Sequence, residues 1–242
     1  NLGDISAYSY AAGIVGRATN GTVVNRCYNV GTISGNTYLG GLVGQVSSTS
    51  SAANGPSAVR NSYNLGAIVS EKNYVGGIAG QVQSSTNAHQ MNVVENVYSA
   101  GSVGGANYNG LLIGHVNNAN ATVSNAYCLA GELNAIGTDV GGHTVNAVSA
   151  EELAALAPSL GDAFQAGSLC QGRESFPILT WQTPSDHEFV NGICSFCGER
   201  VESASAVTVE VMAQGYNAFL LPPQTVTVAA DLAESYGYAD QV

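Results

Sequence analysis

An internal repeat constrains the fold of this chain more than any other feature. The phrase V-N-R-C-Y-N-V-G-T-I at residues 24–33 returns in related form at 59–68 and 94–103, and Tyr28, Tyr63 and Tyr98 are 35 residues apart. The phrase G-G-L-V-G-Q-V at 40–46 returns at 76–82 and, more loosely, at 110–116. A repeat of this length cannot bury its own apolar face, so the units are expected to stack on one another.

The pattern inside each repeat favours strands over helices. Its apolar residues come in bursts of three to five separated by Gly and Asn, whereas a helical repeat needs a long 3.6-residue period without interior glycine. Stacked strands would place equivalent residues about 4.8 Å apart. We therefore expect three ladders, made by Val24, Val59, Val94 and Val123, by Ile33, Ile68 and Val103, and by Tyr28, Tyr63, Tyr98 and Tyr127.

These phrases resemble the GLUG repeat of Gram-positive surface proteins. The shared motif is Y-N-x-G-x-[IV] followed by G-G-[LIV]-[VA]-G-Q-V, and the resemblance covers residues 1 to about 142, weakening after Asn125. The family includes adhesins and the non-catalytic part of IgA-cleaving metallopeptidases. The resemblance implies an extracellular β-rich scaffold. We expect an all-β fold in which residues 1–145 form a β-solenoid, β-helix-like, of about four GLUG-type coils.

Charge restricts the partners. The 242 residues are only 10% charged with a formal net charge of −11, and Lys72 is the single lysine. Nucleic acid and anionic membranes would repel such a chain, so neither is an expected partner. The sequence contains no run of 18 apolar residues, so it predicts no membrane span. Residues 1–6 align with residues 29–34, in mid-repeat, and we expect further repeats before residue 1.

Between the repeats lie two polar segments, 47–57 and 83–92, which read as projecting loops. They would carry specificity if the scaffold binds a ligand, and would otherwise be tolerated insertions. Residues 146–184 are expected to cap the repeats as a small α/β unit. Ser149 and Glu152 form a capping-box pattern for a short helix limited by Pro158, and residues 176–181 resemble a closing apolar strand with a buried Trp181.

Residues 185–202 carry the clearest site chemistry, an H-x6-C-x2-C-G pattern made by His187, Cys194 and Cys197. Two thiolates at this spacing can bind one metal ion, and zinc takes four tetrahedral N or S ligands. Cys170 and Asp186 are candidates for a fourth ligand. A structural zinc site, a Cys194–Cys197 disulfide and free thiols all remain open. The remaining cysteines, Cys27 and Cys128, are expected to be small core residues.

Two sequence patterns near this segment do not indicate function. His187-Glu188 begins a zincin-like motif, but Asn191 stands where the second histidine is needed, so peptidase activity does not transfer. The phrase Leu221–Thr225 is similar to a sortase signal but has an extra residue. Residues 203–242 resemble a truncated β-grasp-like module with strands at 207–211 and 225–228 and a helix beginning near 230–236.

Three functions of different classes follow. The first is a non-catalytic stalk or adhesin segment of a secreted or cell-wall protein, located outside the cell. The second is a module that binds a host or bacterial surface glycan or protein, with Tyr38, Tyr74 and Tyr108 as an aromatic platform. The third is a β-helix polysaccharide-degrading enzyme, which the scattered carboxylates Asp4, Glu71, Glu95, Glu132 and Asp139 disfavour. We expect no catalytic residues.

Overall fold

The computed structural model describes residues 1–48, 55–84, 91–170, 173–183, 186–190, 192–200, 207–210 and 225–228. The tips of both loops predicted between the repeats, the Leu221-Pro222-Pro223-Gln224 phrase and the helix predicted near 230–236 lie outside these residues. The described chain is mostly β-strand with very few helices, which confirms the all-β expectation.

The repeat region is built from eighteen short strands. In chain order they are β1 (Ile5–Ser9), β2 (Val15–Thr19), β3 (Val23–Asn25), β4 (Tyr28–Asn29), β5 (Ile33–Thr37), β6 (Leu39–Gly40), β7 (Val43–Ser47), β8 (Ala58–Asn64), β9 (Ile68–Ser70), β10 (Asn73–Gly76), β11 (Ala79–Gln83), β12 (Val93–Ser99), β13 (Val103–Gly104), β14 (Asn107–Gly110), β15 (Ile113–Val116), β16 (Thr122–Leu129), β17 (Ile136–Asp139) and β18 (Asn146–Val148).

These strands form four parallel sheets in which neighbouring strands come from successive repeats. The sheets run β1-β5-β9-β13, β6-β10-β14, β2-β7-β11-β15-β17 and β3-β8-β12-β16-β18, and β4 also pairs with β8. Val24 pairs with Val59, Val59 with Val94 and Val94 with Val123. Ile33 likewise pairs with Ile68, and Ile68 with Val103. The predicted registers of the valine and isoleucine ladders are therefore confirmed.

The apolar core follows the same ladders. One buried cluster includes Val24, Val59, Val94 and the β-branched residues of the G-G-[LIV]-[VA]-G-Q-V phrases. A second cluster is built on Tyr63 and Tyr98, which are fully buried and stack with ring centroids 5.0 Å apart. Tyr28 and Tyr127 extend this tyrosine column at its two ends and are half-buried.

Side-chain amides also stack from repeat to repeat. Asn29 donates through Nδ2 to Oδ1 of Asn64 at 2.8 Å, and Asn64 donates to the Ser99 hydroxyl at 3.4 Å. On another line, Asn96 donates to Asn61 at 3.1 Å and Asn125 donates to Asn96 at 2.8 Å. Buried amides need such partners, so the ladders satisfy polar groups as the apolar ladders fill the core.

Glycines allow the closest approach between repeats. A Cβ built on Gly77 would lie 2.3 Å from the carbonyl oxygen of Leu111, and one on Gly41 would lie 2.2 Å from that of Gly77. Real Cβ atoms do not approach backbone oxygen so closely. The second Gly of each G-G phrase is therefore required by the spacing of successive repeats.

The cap begins with two short helices, α1 (Ala150–Ala154) and α2 (Ala157–Leu160). The predicted capping box is present, because the Glu152 N–H donates to the Ser149 hydroxyl while Glu152 accepts from the Ser149 N–H. The first helix ends at Ala154, before Pro158. Pro158 instead occupies the first turn of α2, where its missing N–H costs nothing.

Strands β19 (Phe164–Gln165) and β20 (Ile178–Leu179) complete the cap as an antiparallel pair. Phe164 packs against the rings of Tyr63 and Tyr98, and the Tyr63 hydroxyl donates to Oε1 of Gln182 at 3.0 Å. The buried tryptophan was a wrong prediction. Trp181 is 56% exposed and lies beside Tyr28 at 5.9 Å, because Tyr63, Tyr98 and Phe164 already fill the interior between repeats and cap.

The C-terminal residues form two small antiparallel pairs. Strands β21 (Phe189–Val190) and β22 (Ile193–Cys194) make a hairpin. Strands β23 (Val207–Glu210) and β24 (Thr225–Val228) pair as expected for the final segment, with Val209 opposite Val226. None of the helices in the described residues has the length and apolar character that a membrane crossing requires.

Candidate metal centre

The Cys-x-x-Cys segment folds as a tight turn after β22. The Cys194 N–H donates to the Glu199 carbonyl at 2.7 Å, and the Gly198 N–H donates to the Cys194 carbonyl at 3.0 Å. Gly198 has φ 70°, a left-handed conformation that glycine adopts without a Cβ clash. The glycine after Cys197 therefore allows the turn that brings both thiols to one side.

His187 lies next to this turn. Its Nδ1 is 3.5 Å from Sγ of Cys197, and its Nε2 is 3.4 Å from a carboxylate oxygen of Glu199. Metal-binding histidines commonly donate their second ring nitrogen to a carboxylate, which fixes the tautomer and orients the ring. Glu199 is thus placed to orient His187 with Nδ1 toward the thiols. The sequence reasoning missed this carboxylate.

A fourth ligand atom completes the set. The ligand atoms of Cys170, His187, Cys194 and Cys197 all lie within 4.8 Å of one another, and the three cysteines are buried. These four residues lie close together and could hold a metal ion. The group includes Cys170 and does not include Asp186, the other residue considered from the sequence. No disulfide links any of the five cysteines, all of which lie in the described residues.

The surroundings of Cys194 favour the thiolate. Burial raises the pKa of its thiol, but the backbone N–H groups of Cys197 and Phe196, with further contributions from Glu188 and the His187 ring, outweigh burial and lower that pKa to about 6. The thiolate is the form that binds metals, so the turn is pre-arranged for a cation. A helix of the zincin kind is not present here, since Phe189–Val190 is a strand.

The other two cysteines have structural surroundings. Cys128 is fully buried in the core as expected, and burial raises the pKa of its thiol to about 11. Cys27 packs against the same core cluster but is only half-buried, and its thiol donates to the Asn25 carbonyl at 3.4 Å. The equivalent position in the next repeat is Ser62, whose hydroxyl accepts from the Cys27 N–H.

The predicted aromatic platform is a continuous stack. Tyr10 joins Tyr38, Tyr74 and Tyr108, with ring centroids 4.7, 4.7 and 4.8 Å apart and planes within 3° of parallel. All four tyrosines have φ between 51° and 63°, which is rare for a bulky residue. The inner rings, Tyr38 and Tyr74, therefore have a tyrosine on both faces. At one end of the stack, the Arg17 guanidinium lies 5.9 Å from the centroid of the Tyr10 ring. Glycan binding stays a prediction.

One His–Asp pair resembles hydrolase machinery but is fully engaged. Asp139 Oδ1 is 2.7 Å from Nδ1 of His143, and the Nε2 of His143 is 2.9 Å from the Ala121 carbonyl oxygen. Asp139 also accepts from the N–H of Gly141. Because both imidazole nitrogens are bound, the ring holds the loop after β17 and has no nitrogen left to activate a nucleophile.

Comparisons of the chain with family models, with curated proteins and with solved structures found no match. The resemblance to the GLUG repeat therefore rests on the motif residues themselves.

Proposed function

We propose that this chain is a non-catalytic GLUG-type β-solenoid scaffold, a stalk or adhesin segment of a secreted or cell-wall-attached bacterial surface protein, with a structural zinc ion near its C-terminal end. The convergence of Cys170, His187, Cys194 and Cys197 carries the metal part of this proposal. Three thiolates and one imidazole form a closed tetrahedral set for zinc. A catalytic zinc would keep one position open for water or substrate.

The scaffold part is supported by how the repeat region uses its polar side chains. The carboxylate of Glu95 is 2.9 Å from Nε of Arg60, and Asp139 is bound to His143. The buried amides of Asn29, Asn64 and Gln45 hydrogen-bond to other repeats. The carboxylates of Glu95 and Asp139 are thus engaged by neighbouring side chains, and the amides join successive repeats.

Zinc content tests the proposal directly. The purified chain should contain about one zinc per molecule, and the Cys170→Ser, Cys194→Ser and Cys197→Ser variants should each lose most of it. Cys27→Ser is the matched control, because Cys27 lies outside the group, and its zinc content should equal that of the parent. Equal zinc in all five proteins, or none in the parent, would sink the metal proposal.

Glycan binding by the tyrosine stack is the second candidate. Left-handed backbone at a bulky residue costs on the order of 1–3 kcal/mol, and such strain clusters at functional sites. Tyr108 is 38% exposed at one end of the stack, where its outer face has no further tyrosine. Glycan-array binding that disappears in Tyr108→Ala and Tyr74→Ala would favour this function, and release of reducing sugar would instead indicate an enzyme.

A further inference from the structure

The last repeat is shorter than the others at one specific place. Ser99 pairs with Cys128, and Ile113 pairs with Ile136. Thirteen residues separate Ser99 from Ile113, but only seven separate Cys128 from Ile136. Six residues are thus missing, and they correspond to the strands that would follow β13 and β14 in their sheets. Two of the four sheets end one strand early.

The exposed edge of β13 has a defined hydrogen-bonding direction. Along this sheet the Ile5 N–H donates to the Thr32 carbonyl, that of Ile33 to Ala67 and that of Ile68 to Ser102, at 2.8 to 2.9 Å. Val103 occupies the same position one repeat later. In a parallel ladder its N–H and C=O point away from β9, toward the place of the missing strand. In the described residues the series stops at Val103.

A groove lies beside this edge. Its volume is about 500 Å³, and residues 100–105 and 129–133 contribute most of its lining. Val103, Leu111 and Leu129 are half-buried in its wall, and Glu132 is the one charged residue among those lining it. An extended segment of six residues is about 20 Å long. The groove therefore lies beside the part of the last repeat that lacks six residues.

We propose that this groove binds an extended segment of a partner polypeptide, which adds to β13 as a further parallel strand. The added strand would continue the stacking interface that already joins each repeat to the next, so its backbone would accept from the Val103 N–H. The inference does not depend on the metal centre. Unpaired strand edges are the usual templates for recognition of this kind.

The repeats themselves indicate which side chains fit. At the position of Val103 the earlier repeats carry Ile33 and Ile68, both buried, with glycine two residues before. The partner segment should therefore contain glycine, one residue of any type and then Ile or Val. A basic residue at one end would complement Glu132.

A labelled peptide with the sequence of residues 65–70, Leu-Gly-Ala-Ile-Val-Ser, tests the proposal by fluorescence anisotropy against the full 242-residue chain. We expect saturable binding, and at least tenfold weaker binding of a control peptide in which Asp replaces Ile, because a charge would enter an apolar position. No saturable binding, or equal binding of both peptides, would overturn the proposal.

Two protein variants locate the binding. Val103→Pro removes the N–H that faces the groove, and an edge strand tolerates proline on its open side. It should bind the peptide about tenfold more weakly, whereas Val103→Ile should bind like the parent. Insertion of Gly-Ala-Ile-Val-Ser-Glu after Leu129 places its Ile four residues after Cys128, as Val103 lies four residues after Ser99. It should fill the groove from within the chain and abolish binding while raising Tm. Unchanged binding by the insertion variant would contradict the site, even if Val103→Pro failed to fold.

Discussion

Gln45 donates a 2.6 Å hydrogen bond from Nε2 to Oε1 of Gln81, the residue that pairs with it in the next repeat. Gln81 in turn is 3.1 Å from Nδ1 of His115, its partner in the following repeat. Both glutamines are nearly buried. The middle member of this polar ladder therefore serves two repeats at once.

Replacement of Gln81 by Leu should destabilise the chain by about 1–3 kcal/mol, because the buried Gln45 and the half-buried His115 each lose a hydrogen-bond partner. Urea unfolding followed by circular dichroism measures the change. Gln83→Leu is the matched control, since Gln83 is exposed and accepts only a second, 3.1 Å bond from Gln45. Equal stability of Gln81→Leu and the parent would show that the ladder does not contribute.

His115 should make stability depend on pH. Burial lowers the pKa of its imidazole below the usual 6.5, although Asp139 acts in the opposite direction. Between the two pKa values the unfolded chain binds a proton that the folded chain does not. Stability should therefore fall as pH drops through about 6.5 and level off below the folded pKa.

The difference between parent and His115→Gln isolates this effect, because Gln continues the amide ladder without titrating. The measurement is the unfolding free energy of both proteins from pH 8 to pH 5. The expected result is a parent that loses stability relative to His115→Gln as the solution becomes acidic. Parallel pH profiles for the two proteins would contradict the prediction.

Arg26 is the exception in a line of left-handed asparagines. Asn61, Asn96 and Asn125 have φ between 48° and 51° at equivalent positions, and Arg26 has φ 54°. Asparagine tolerates this conformation better than arginine does. Arg26→Asn should stabilise the chain by about 0.5–1 kcal/mol, and the reverse change Asn61→Arg should destabilise it. Thermal unfolding of both variants checks the sign, and a lower Tm for Arg26→Asn would refute the explanation.

The buried tyrosines Tyr63 and Tyr98 join the repeats to the cap. The Tyr98 hydroxyl donates to the carbonyl of Pro177 at 2.5 Å in a fully buried position. Tyr98→Phe should cost about 1–3 kcal/mol, because that carbonyl is left without its donor. Tyr127→Phe is the control, since its hydroxyl bonds Asn125 in a half-buried position and its loss should cost under about 0.5 kcal/mol. Similar losses for the two variants would argue against the buried bond.

The sequence predicts the ladders well because the spacing of equivalent residues in successive repeats determines which residues pair. The tyrosines are 35 residues apart, and each lies four residues after a valine and three residues before a glycine, which leaves one consistent way to stack. The left-handed tyrosines were not predictable, because tyrosine gives no local signal for positive φ and the stacked neighbours stabilise it only in the folded chain.

The ligands of the metal centre could be predicted only in part. His187, Cys194 and Cys197 fall within eleven residues and form a recognisable pattern. Cys170 lies seventeen residues before His187 and belongs to no spacing motif, so the sequence offered it only as one of two candidates. The exposure of Trp181 could not be predicted for a similar reason. Which aromatic ring fills the interior of the cap depends on packing between residues that are distant in the sequence.

X-ray absorption at the zinc edge of the purified chain tests the account most directly. We expect one zinc per chain bound by three sulfur atoms at about 2.3 Å and one nitrogen atom at about 2.0–2.1 Å, and little bound zinc in Cys170→Ser. A chain without metal, in which mass spectrometry finds Cys194 and Cys197 joined by a disulfide, would contradict it.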